Sequence, residues 1–504
     1  MLRASSYNIH VELPNLPDEV LLVHGYSGAY DKVSRFVATY LAALDPGRPA
    51  RPVAGLPAPA APRVPSDRTI ETLRKRGYLT ELSVDEEQRL FARLAHKLHA
   101  LGKARRPTYV FMPTYDCNLR CTYCFQAPLR AGGERSGLLR VMSPELVDRI
   151  FAAMPRIEAD HGAPAGEQVV RNIGLFGGEP FLPRSLATVE RICENAVSQG
   201  KANLWAVTNG TELHRFSHLL GGDGVNWLQI TLDGPPAEHD RRRVHADGQG
   251  SFEQITRNVS MALERGVCVD LRVNVDRSNI AHLPAFAREI VARQWHLRQN
   301  LRVYAARAVD NDQKQQAPEI YTSRQLDQAL AELRRQHPEI AFIERPLDGL
   351  EKRAQGIFAK RDDPLPGFRP SFCGAHNGMY VFDALGDVYA CWERNGDPRL
   401  RIGRIAESEG LVLDETNHAK WRNRDVTSNP TCSRCRYALY CGGGCCVAAE
   451  ASRGGFFANC CDGFSARFRE SVAAGFTAHA AGQVTVPHAG PGCDGLNISL
   501  TTGA

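Results

Sequence analysis

The sequence lacks the features of a membrane or exported protein. No apolar run approaches the roughly 18 residues of a membrane-spanning helix, and residues 1–13 mix charged and polar side chains without the apolar core of a signal peptide. A strong charge is also absent, because 61 Lys and Arg against 56 Asp and Glu leave a net charge of only +5 over 504 residues. We therefore expect a cytoplasmic protein that binds neither a membrane nor nucleic acid.

Cysteine, by contrast, is abundant. Fifteen cysteines would form disulfides in a small secreted protein, but in a long chain without an export signal they indicate metal binding. Most of them fall into two groups, one near residue 120 and one between residues 373 and 461. Since this length allows two to four domains, the two groups can serve separate metal-binding regions.

The first group has the spacing C-x3-C-x2-C, formed by Cys117, Cys121 and Cys124. Three thiolates on one short loop can hold three irons of a [4Fe-4S] cluster and leave the fourth iron open. A zinc site would usually show C-x2-C pairs with a fourth Cys or His nearby, and free cysteines that only pack in a core rarely cluster on a polar loop. The spacing therefore favours a cluster with an open iron.

From Pro107 onward, strand patterns alternate with helix patterns, which is typical of a parallel sheet built from βα units. Six strands are predicted, at residues 109–112, 169–176, 203–207, 227–232, 269–275 and 301–306, with a later helix at 323–337. Ser143 and Pro144 predict one helix start, and a capping box at residues 251–254 predicts another. The alternation indicates a partial (β/α)6 barrel, in which ligands gather at the carboxyl ends of the strands.

The regions on either side of this barrel have different patterns. Residues 1–100 indicate a small α+β domain with strands at 7–13 and 20–23 and helices at 32–43 and 66–78; a Pro- and Ala-rich stretch at 46–65 interrupts it. After Pro338 the apolar periodicity weakens up to about residue 465, so metal clusters would have to supply stability there. We predict domains at 1–100, 101–340 and 341–480, followed by a poorly ordered tail at 481–504.

Polar and glycine-rich motifs follow four of the predicted strands. In chain order they are Gly177-Gly178-Glu179, Thr208-Asn209-Gly210, Asp233-Gly234-Pro235 with His239, Asp240 and Arg243, and the alternating residues Arg272, Asn274 and Asp276. Paired glycines let the backbone approach a ligand, a carboxylate can accept hydrogen bonds from an ammonium group, and a guanidinium group suits a carboxylate. The adjacent Arg241 and Arg242 are alternatives to Arg243 as the guanidinium group that binds a carboxylate.

Together, the cysteine triplet and these motifs resemble the radical S-adenosylmethionine (SAM) enzymes. The resemblance implies a [4Fe-4S] cluster whose open iron binds SAM, reductive cleavage of SAM to a 5'-deoxyadenosyl radical, and an electron donor such as flavodoxin or ferredoxin. It also implies that Glu179 holds the SAM amino group and that Arg243 reaches its carboxylate or ribose side. The remaining SAM contacts that it implies are Tyr123, Gly177, Gly178, Thr208, Asn209 and Asn274.

The second cysteine group resembles the SPASM domain, which carries two auxiliary iron–sulfur clusters. That resemblance assigns Cys432, Cys435, Cys441 and Cys461 to one cluster and Cys373, Cys391 and Cys445 to the other, with Cys460 as an alternative to Cys461. The second set has no obvious fourth ligand, so Cys446, His376 or an Asp completes it, or one iron is open. A structural zinc ribbon is the simpler alternative. Cys193 and Cys268 are expected to be core residues.

The resemblance also limits the classes of reaction to be expected. Sulfatase maturases carry an Asp directly after the cysteine that matches Cys391, whereas this chain has Trp392. Maturases of ribosomally made peptides often begin with a small winged-helix-like domain that captures the leader of the precursor peptide, and residues 1–100 have the size and element order for one. The resemblance therefore implies a peptide maturase that abstracts a hydrogen from a precursor residue and installs a crosslink or other oxidative modification. A protein-directed or small-molecule radical SAM oxidoreductase, or a cysteine-rich metal-binding scaffold without catalysis, is the alternative.

Overall fold

The computed structural model describes residues 2–45, 63–130, 137–162, 170–308, 319–358, 367–408 and 410–482. Most of the predicted Pro- and Ala-rich stretch, and the predicted tail from residue 483 onward, lie outside these residues. In the described ranges, no helix combines the length and apolar character needed to cross a bilayer.

The amino-terminal region is an α+β unit. Strands β2, β3 and β4 form an antiparallel sheet in that order, and β1 pairs with β5. The helices begin after Ser34, Ser66 and Ser83, whose hydroxyl groups each accept a hydrogen bond from a backbone amide. The elements are β1 (Arg3–Ala4), β2 (Asn8–Glu12), β3 (Glu19–His24), β4 (Tyr30–Ser34), α1 (Arg35–Ala43), α2 (Asp67–Lys75), β5 (Leu79–Thr80) and α3 (Val84–Lys103).

The predicted helix at residues 32–43 is wrong at its start. Residues 32–34 belong to β4, which pairs with β3 from Glu19 to Val23, and the helix begins only at Arg35. The 20-residue helix α3 was not predicted at all, although its first turn is a complete capping box formed by Ser83 and Glu86.

The central region forms the predicted partial barrel. Strands β6, β8, β9, β10, β12 and β13 are parallel neighbours in chain order, and their apolar side chains pack with those of the helices in one core. The elements are β6 (Thr108–Phe111), β7 (Leu119–Cys121), α4 (Ala127–Arg130), α5 (Pro144–Asp160), β8 (Val170–Leu175), α6 (Leu186–Ser198), β9 (Lys201–Thr208), β10 (Val225–Thr231), α7 (Pro236–Arg242), β11 (Arg243–His245), α8 (Phe252–Glu264), β12 (Cys268–Val275), α9 (Leu283–Ala292), β13 (Leu301–Arg307) and α10 (Ser323–Gln336).

The cysteine-rich region extends the same sheet. Strand β15 pairs in parallel with β6, and β16, β17 and β18 follow it as antiparallel neighbours, while β14 pairs with β13 at the other edge. The first barrel strand therefore lies next to the region that carries the second cysteine group. The elements are β14 (Ile343–Glu344), α11 (Pro346–Phe358), β15 (Met379–Phe382), β16 (Asp387–Tyr389), β17 (Gly403–Ala406), β18 (Gly410–Leu413), α12 (Glu415–Arg422), α13 (Pro430–Ser433), α14 (Ala438–Cys441), α15 (Cys446–Arg453) and α16 (Phe464–Ala480).

The amino-terminal unit packs directly on this cysteine-rich region. The Tyr7 hydroxyl group donates a hydrogen bond to the Ser433 carbonyl oxygen at 2.8 Å, and Arg436 donates one to the Asn8 carbonyl oxygen at 2.6 Å. Tyr7 and Phe91 also share one apolar cluster with Cys432. The loop that carries Cys432 is therefore covered by the amino-terminal unit.

Candidate active site

The cysteine triplet follows the first barrel strand, β6, at its carboxyl end. Cys117 is buried, and Cys121 and Cys124 are partly buried. Cys121 ends β7, which pairs with β11 so that Cys121 lies opposite Arg243. All three cysteines line one cavity of about 220 Å³. The structure thus brings the three predicted ligands together at the edge of the barrel where ligands are expected.

The surroundings of the triplet fit an iron–sulfur cluster. Burial raises the pKa of Cys117 to about 12 and also raises the pKa of Cys121, so a bound cation is needed to hold these groups as thiolates. Hydrogen-bond donors are directed at the sulfur atoms: the amide of Leu119 lies 3.4 Å and Asn209 Nδ2 3.6 Å from Cys117 Sγ, and Arg130 lies 3.2 Å from Cys124 Sγ. Such donors tune the potential of a cluster.

No three His, Cys, Asp or Glu side chains in the described ranges converge as ligands of one metal ion. A four-iron cluster takes one thiolate on each iron, so its cysteines do not need to converge on one point. The separation of the thiols is therefore compatible with the proposed cluster ligands.

Two glycines allow the second barrel strand to pass close to the cysteine loop. A Cβ atom on Gly178 would lie 2.1 Å from the Asp116 carbonyl oxygen, and one on Gly177 would lie 2.6 Å from that of Thr114. The close approach is held by hydrogen bonds from the amides of Gly178 and Glu179 to Thr114 and Asp116. Any larger residue at 178 would push the cysteine loop away.

Glu179 forms hydrogen bonds with residues that line the cavity. Its carboxylate accepts hydrogen bonds from the Thr208 hydroxyl group and the Asn209 amide, both at 2.6 Å, and from the Phe181 amide at 3.0 Å. Gly177, Gly178, Thr208 and Asn209 line the cavity, whereas Glu179 is not among its lining residues. Burial raises the pKa of Glu179 to about 7. The carboxylate of Glu179 therefore holds residues 208 and 209 in place, and its contact with the SAM amino group stays a prediction.

Tyr123 connects the cysteine loop to the fourth and fifth barrel strands. Its hydroxyl group donates a short hydrogen bond to Asp233 and accepts one from Arg243 at 2.8 Å and one from Asn274 Nδ2 at 3.1 Å. Asp233 in turn accepts a hydrogen bond from the Asn274 amide at 2.9 Å. These four side chains form one buried network, and Tyr123, Arg243 and Asn274 line the cavity.

The structure distinguishes among the three consecutive arginines. Arg243 lines the cavity, whereas Arg242 forms an ion pair with Asp276 at 2.8 Å and Arg241 forms one with Glu238. Asp276 is thereby engaged away from the cavity, which Arg272 and Asn274 line instead.

The predicted capping box at residues 251–254 is wrong. The Ser251 hydroxyl group donates to the Arg243 carbonyl oxygen at 2.6 Å and contacts His239 Nε2 at 3.0 Å, so it is not available to cap α8. Asp240 accepts hydrogen bonds from the amides of Ser251 and Phe252 in its place. His239, Asp240 and Ser251 therefore fix the backbone that presents Arg243.

Sequence reasoning missed several side chains of the cavity. Trp392 and Glu393, which follow Cys391 in the second cysteine group, line the same cavity as the triplet, as do Gln126 and Gln229. The ring of Trp392 stacks on Phe176 with centroids 5.3 Å apart. Only the position of Trp392 directly after a predicted cluster ligand could have suggested this location.

Two donors in the cavity wall have no hydrogen-bond partner among the described residues. In the part of the chain that the structure describes, Gln126 Nε2 and Arg243 Nε are buried without a hydrogen-bond partner. Gln126 is 2% exposed and Arg243 is 7% exposed. Because unpaired buried donors are costly, the cavity is suited to a ligand with acceptor groups.

The second cysteine group divides into two sets of neighbouring thiols. Burial raises the pKa of Cys432, Cys435 and Cys441, and the neighbouring charge of Cys461 raises each of them further. Cys373, Cys391 and Cys445 instead pack against the core of the barrel region. Cys193 and Cys268 are buried, at 6% and 7% exposure.

Comparison with known proteins agrees with the geometry of the triplet cavity. Residues 111–290 match the radical SAM superfamily. The chain contains a radical SAM domain. It is 25% identical over 186 residues to GTP 3',8-cyclase of Rhizobium etli, covering 36% of this chain and 48% of that protein. It is also 25% identical over 197 residues to Fe-coproporphyrin III synthase of Methanosarcina barkeri, covering 38% and 43%. The chain thus spans about half the length of these relatives.

A solved structure supports the fold of a larger part of the chain. Native anSMEcpe with bound AdoMet is similar with a TM-score of 0.56 and 18% identity, over 75% of this chain and 100% of that one. This similarity confirms the α/β fold predicted from the sequence. The match of residues 111–290 to the radical SAM superfamily implies a [4Fe-4S] cluster and SAM as cofactors.

Proposed function

We propose that this radical SAM enzyme is a peptide maturase that also carries two auxiliary iron–sulfur clusters. One observation carries the proposal: Trp392 and Glu393, immediately after the predicted auxiliary ligand Cys391, line the cavity of the cysteine triplet. A substrate in that cavity would contact the radical SAM region and the SPASM-like region together. This placement suits an oxidation in which substrate, triplet and auxiliary ligand are close neighbours.

The triplet and its neighbours would hold the first cluster and SAM. Cys117, Cys121 and Cys124 would bind iron, and the donors of Arg243 and Gln126 would face the acceptor groups of SAM. When bound, these cofactors supply a 5'-deoxyadenosyl radical that removes a hydrogen atom from the substrate. The chain itself would orient the reacting groups through the Tyr123 network, which fixes Arg243 and Asn274.

The remaining cavity wall would contact the peptide. It combines the apolar rings of Phe176 and Trp392 with the charged side chains of Arg272 and Glu393. Arg272 is itself held by a hydrogen bond of 2.8 Å to Asn274 Oδ1. Apolar surface with a few fixed polar groups is what a specific ligand pocket requires.

The amino-terminal unit, proposed as a domain at residues 1–100, would bind the leader of the precursor. Strand β2 is covered by α16 of the cysteine-rich region, but β4 lies at the other edge of the three-stranded sheet. Its residues are partly or fully exposed. An outer strand of this kind can accept an extended peptide as an additional strand.

The second cysteine group would bind the auxiliary clusters in the proposed domain at residues 341–480. We assign Cys432, Cys435, Cys441 and Cys461 to one of them. Cys461 is kept over Cys460 from the sequence resemblance, and its Sγ accepts a hydrogen bond from Asn459 Nδ2 at 2.9 Å. When bound, these clusters would supply an acceptor for the second electron of a two-electron oxidation, and a flavodoxin- or ferredoxin-like donor would reduce the first cluster.

The test is a reaction with candidate precursors. The full chain is reconstituted anaerobically with iron and sulfide and incubated with reductant, SAM and short peptides encoded beside its gene. Mass spectrometry should show one peptide that has lost hydrogen, together with 5'-deoxyadenosine. A variant with Cys117, Cys121 and Cys124 all replaced by Ala is the inactive control. SAM cleavage without a change in any such peptide, but with conversion of a small molecule, would refute the peptide assignment.

A further inference from the structure

The side chain of Arg130 reaches back to the cysteine loop from the last residue of α4. This short helix begins at Ala127, whose amide donates a hydrogen bond of 3.0 Å to the Cys124 carbonyl oxygen. From the end of the helix, Arg130 Nη2 donates a hydrogen bond of 3.2 Å to Cys124 Sγ. A residue six positions after a predicted cluster ligand thus bonds directly to the sulfur atom of that ligand.

The guanidinium group of Arg130 has no acidic partner among the described residues. Its Nε and Nη1 atoms are buried and have no hydrogen-bond partner there, and no carboxylate lies within ion-pair distance of them. Other arginines near the loop do form ion pairs, Arg184 with Asp116 and Arg242 with Asp276. Because a buried charge is costly unless it is paired, thiolate sulfur is the negative partner that the structure offers to Arg130.

The other hydrogen-bond donors of the loop differ from Arg130. The donors to Cys117 Sγ are neutral, namely the Leu119 amide at 3.4 Å and Asn209 Nδ2 at 3.6 Å. Arg120, an exposed residue within the loop, donates to the carbonyl oxygens of Cys117 and Leu119 at 2.7 and 3.0 Å. In the ranges that the structure describes, Arg130 is therefore the one cationic group that is hydrogen-bonded to a sulfur atom of the triplet.

The charge of Arg130 determines the direction of its effect on a cluster. When a donor protein reduces the cluster, the donor loses one electron, the cluster gains one negative charge, and no covalent bond forms or breaks. A cation bonded to a ligand sulfur stabilises the more negative, reduced cluster more than the oxidised one. Burial limits the screening of this interaction by solvent and salt. Net charge and hydrogen bonds to the sulfur atoms are among the properties that set the potential of such clusters.

We propose that Arg130 is a positioning residue that acts through Cys124 and raises the reduction potential of the first cluster. The bond to Cys124 Sγ holds the cation beside the cluster, so that a flavodoxin- or ferredoxin-like donor can reduce it. This inference rests on the first cluster that the proposed function places at the triplet. It is independent of the peptide substrate.

The test is a redox titration of the reconstituted full chain, followed by electron paramagnetic resonance. The signal of the first cluster is the one that SAM changes and that is missing when Cys117, Cys121 and Cys124 are all replaced by Ala. At the wild-type midpoint potential, Arg130→Gln should lower the ratio of reduced to oxidised cluster tenfold or more, a shift of about 59 mV for one electron. Arg130→Lys should lower it by no more than about threefold, because it keeps the charge but not the planar geometry.

Arg120→Gln is the matched control, since it removes a guanidinium group that binds carbonyl oxygens of the same loop. It should keep the wild-type ratio. The proposal is overturned if Arg130→Gln keeps that ratio, if Arg130→Lys falls as far as Arg130→Gln, or if Arg120→Gln falls equally far.

Iron content separates a redox role from a structural one. Arg130→Gln should keep the iron content of the wild type, and Arg130→Met, which is also uncharged, takes its place if Arg130→Gln does not fold. Loss of about four irons from both uncharged variants would overturn the proposal, because Arg130 would then hold the cluster in place. A wild-type protein without a signal that SAM changes would overturn both this inference and the first cluster of the proposed function, whereas unshifted variants beside a normal wild-type signal overturn the inference alone.

Discussion

Arg243 donates a hydrogen bond of 2.8 Å to the hydroxyl group of Tyr123, and this bond joins the cysteine loop to the segment that follows the fourth barrel strand. Arg243 is 7% exposed, and the charge of Asp233 lies near its guanidinium group. The hydroxyl group of Tyr123 also donates a hydrogen bond to Asp233 and accepts one from Asn274. A single oxygen atom thus sets the position of three polar side chains around the cavity.

Tyr123→Phe should therefore weaken SAM binding without removing a cluster ligand. Loss of the hydroxyl group leaves buried polar partners unsatisfied, at a cost of about 1–3 kcal/mol, and frees Arg243 to move. We expect the Kd for SAM to rise roughly tenfold, measured by equilibrium dialysis with the reconstituted protein. Tyr26→Phe, which removes a hydroxyl group near the buried Glu87 in the amino-terminal unit, is the matched control. Equal SAM affinity in the two variants would contradict this role of Tyr123.

Gly178→Ala should disrupt the first cluster. Its Cβ atom would lie 2.1 Å from the Asp116 carbonyl oxygen, so the backbone next to Cys117 must move. We expect the reconstituted variant to lose about four irons and its capacity to cleave SAM, as measured by iron analysis and by 5'-deoxyadenosine formation. Gly349→Ala on α11 is the control, because nothing lies within 4 Å of its added Cβ atom. A normal iron content in the Gly178 variant would show that the loop can adapt.

The barrel was predictable because its strands carry apolar residues at alternate positions and helices separate them in the sequence. Val269, Leu271 and Val273 of β12 show this pattern without knowledge of their neighbours, and the rule for ligand positions in such barrels placed the triplet. The pairing of β15 with β6 has no local signal, since Tyr380 and Tyr109 are far apart in the chain. That pairing accompanies the entry of Trp392 and Glu393 into the cavity, so their role could not be predicted from sequence.

The capping box predicted at Ser251 is absent because other groups bind the Ser251 hydroxyl group. Ser251 has the sequence context of a helix cap, but its side chain is engaged by Arg243 and His239, and Asp240 takes over the amides. Likewise, the contacts of the amino-terminal unit with the cysteine-rich region depend on Tyr7 and Arg436, which no local pattern connects. Because these contacts join residues that are distant in the chain, the local sequence does not predict them.

The covering of the Cys432 loop leads to a prediction about cluster stability. Phe91, which is fully buried, packs in the apolar cluster that includes Cys432. Phe91→Ala should cost about 3–5 kcal/mol and make up to about four irons of the proposed cluster at Cys432 labile, as measured by release to a chelator. Leu41→Ala, in the separate core of the amino-terminal unit, should leave iron release unchanged. For the same reason, deleting residues 1–100 would expose this loop as well as remove the proposed leader-binding unit. Equal iron release from Phe91→Ala and Leu41→Ala would show that the packing of Phe91 does not stabilise the proposed cluster.

His161 should make the fold sensitive to acid. Burial and the charge of Arg422 lower the pKa of His161 to about 4, from 6.5 in the unfolded chain. Because the unfolded state binds the proton more readily, the contribution of neutral His161 is present above pH 6.5 and is lost as the pH falls towards 4. The loss amounts to about 3 kcal/mol. His161→Gln should flatten the fall in stability over this range, measured by denaturant unfolding, whereas His218→Gln on the surface should not. If the free energy of unfolding fell equally with pH in the wild type and in His161→Gln, His161 would not be the origin of the acid sensitivity.

Glu393 provides the sharpest test of how the two cysteine regions cooperate on a substrate. Its carboxylate lines the cavity beside the triplet although Cys391, two residues earlier in the chain, belongs to the predicted auxiliary set. Glu393→Gln keeps the shape but removes the charge that faces Arg272, so a peptide group held by this pair should bind less well or in a wrong position. We expect peptide modification to fall by tenfold or more, about 1.4 kcal/mol, while SAM cleavage without peptide and the iron content stay at wild-type levels.

The control for this substitution is Glu450→Gln, which removes a carboxylate that pairs loosely with Arg394 at 3.8 Å and is not among the residues that line the cavity. It should modify the peptide at the wild-type rate. If Glu393→Gln lowers SAM cleavage and peptide modification together, Glu393 acts on the cofactor region and not on the peptide. If neither changes, the charge of Glu393 has no role in the reaction, and the cavity would position its substrate through Trp392 and Arg272.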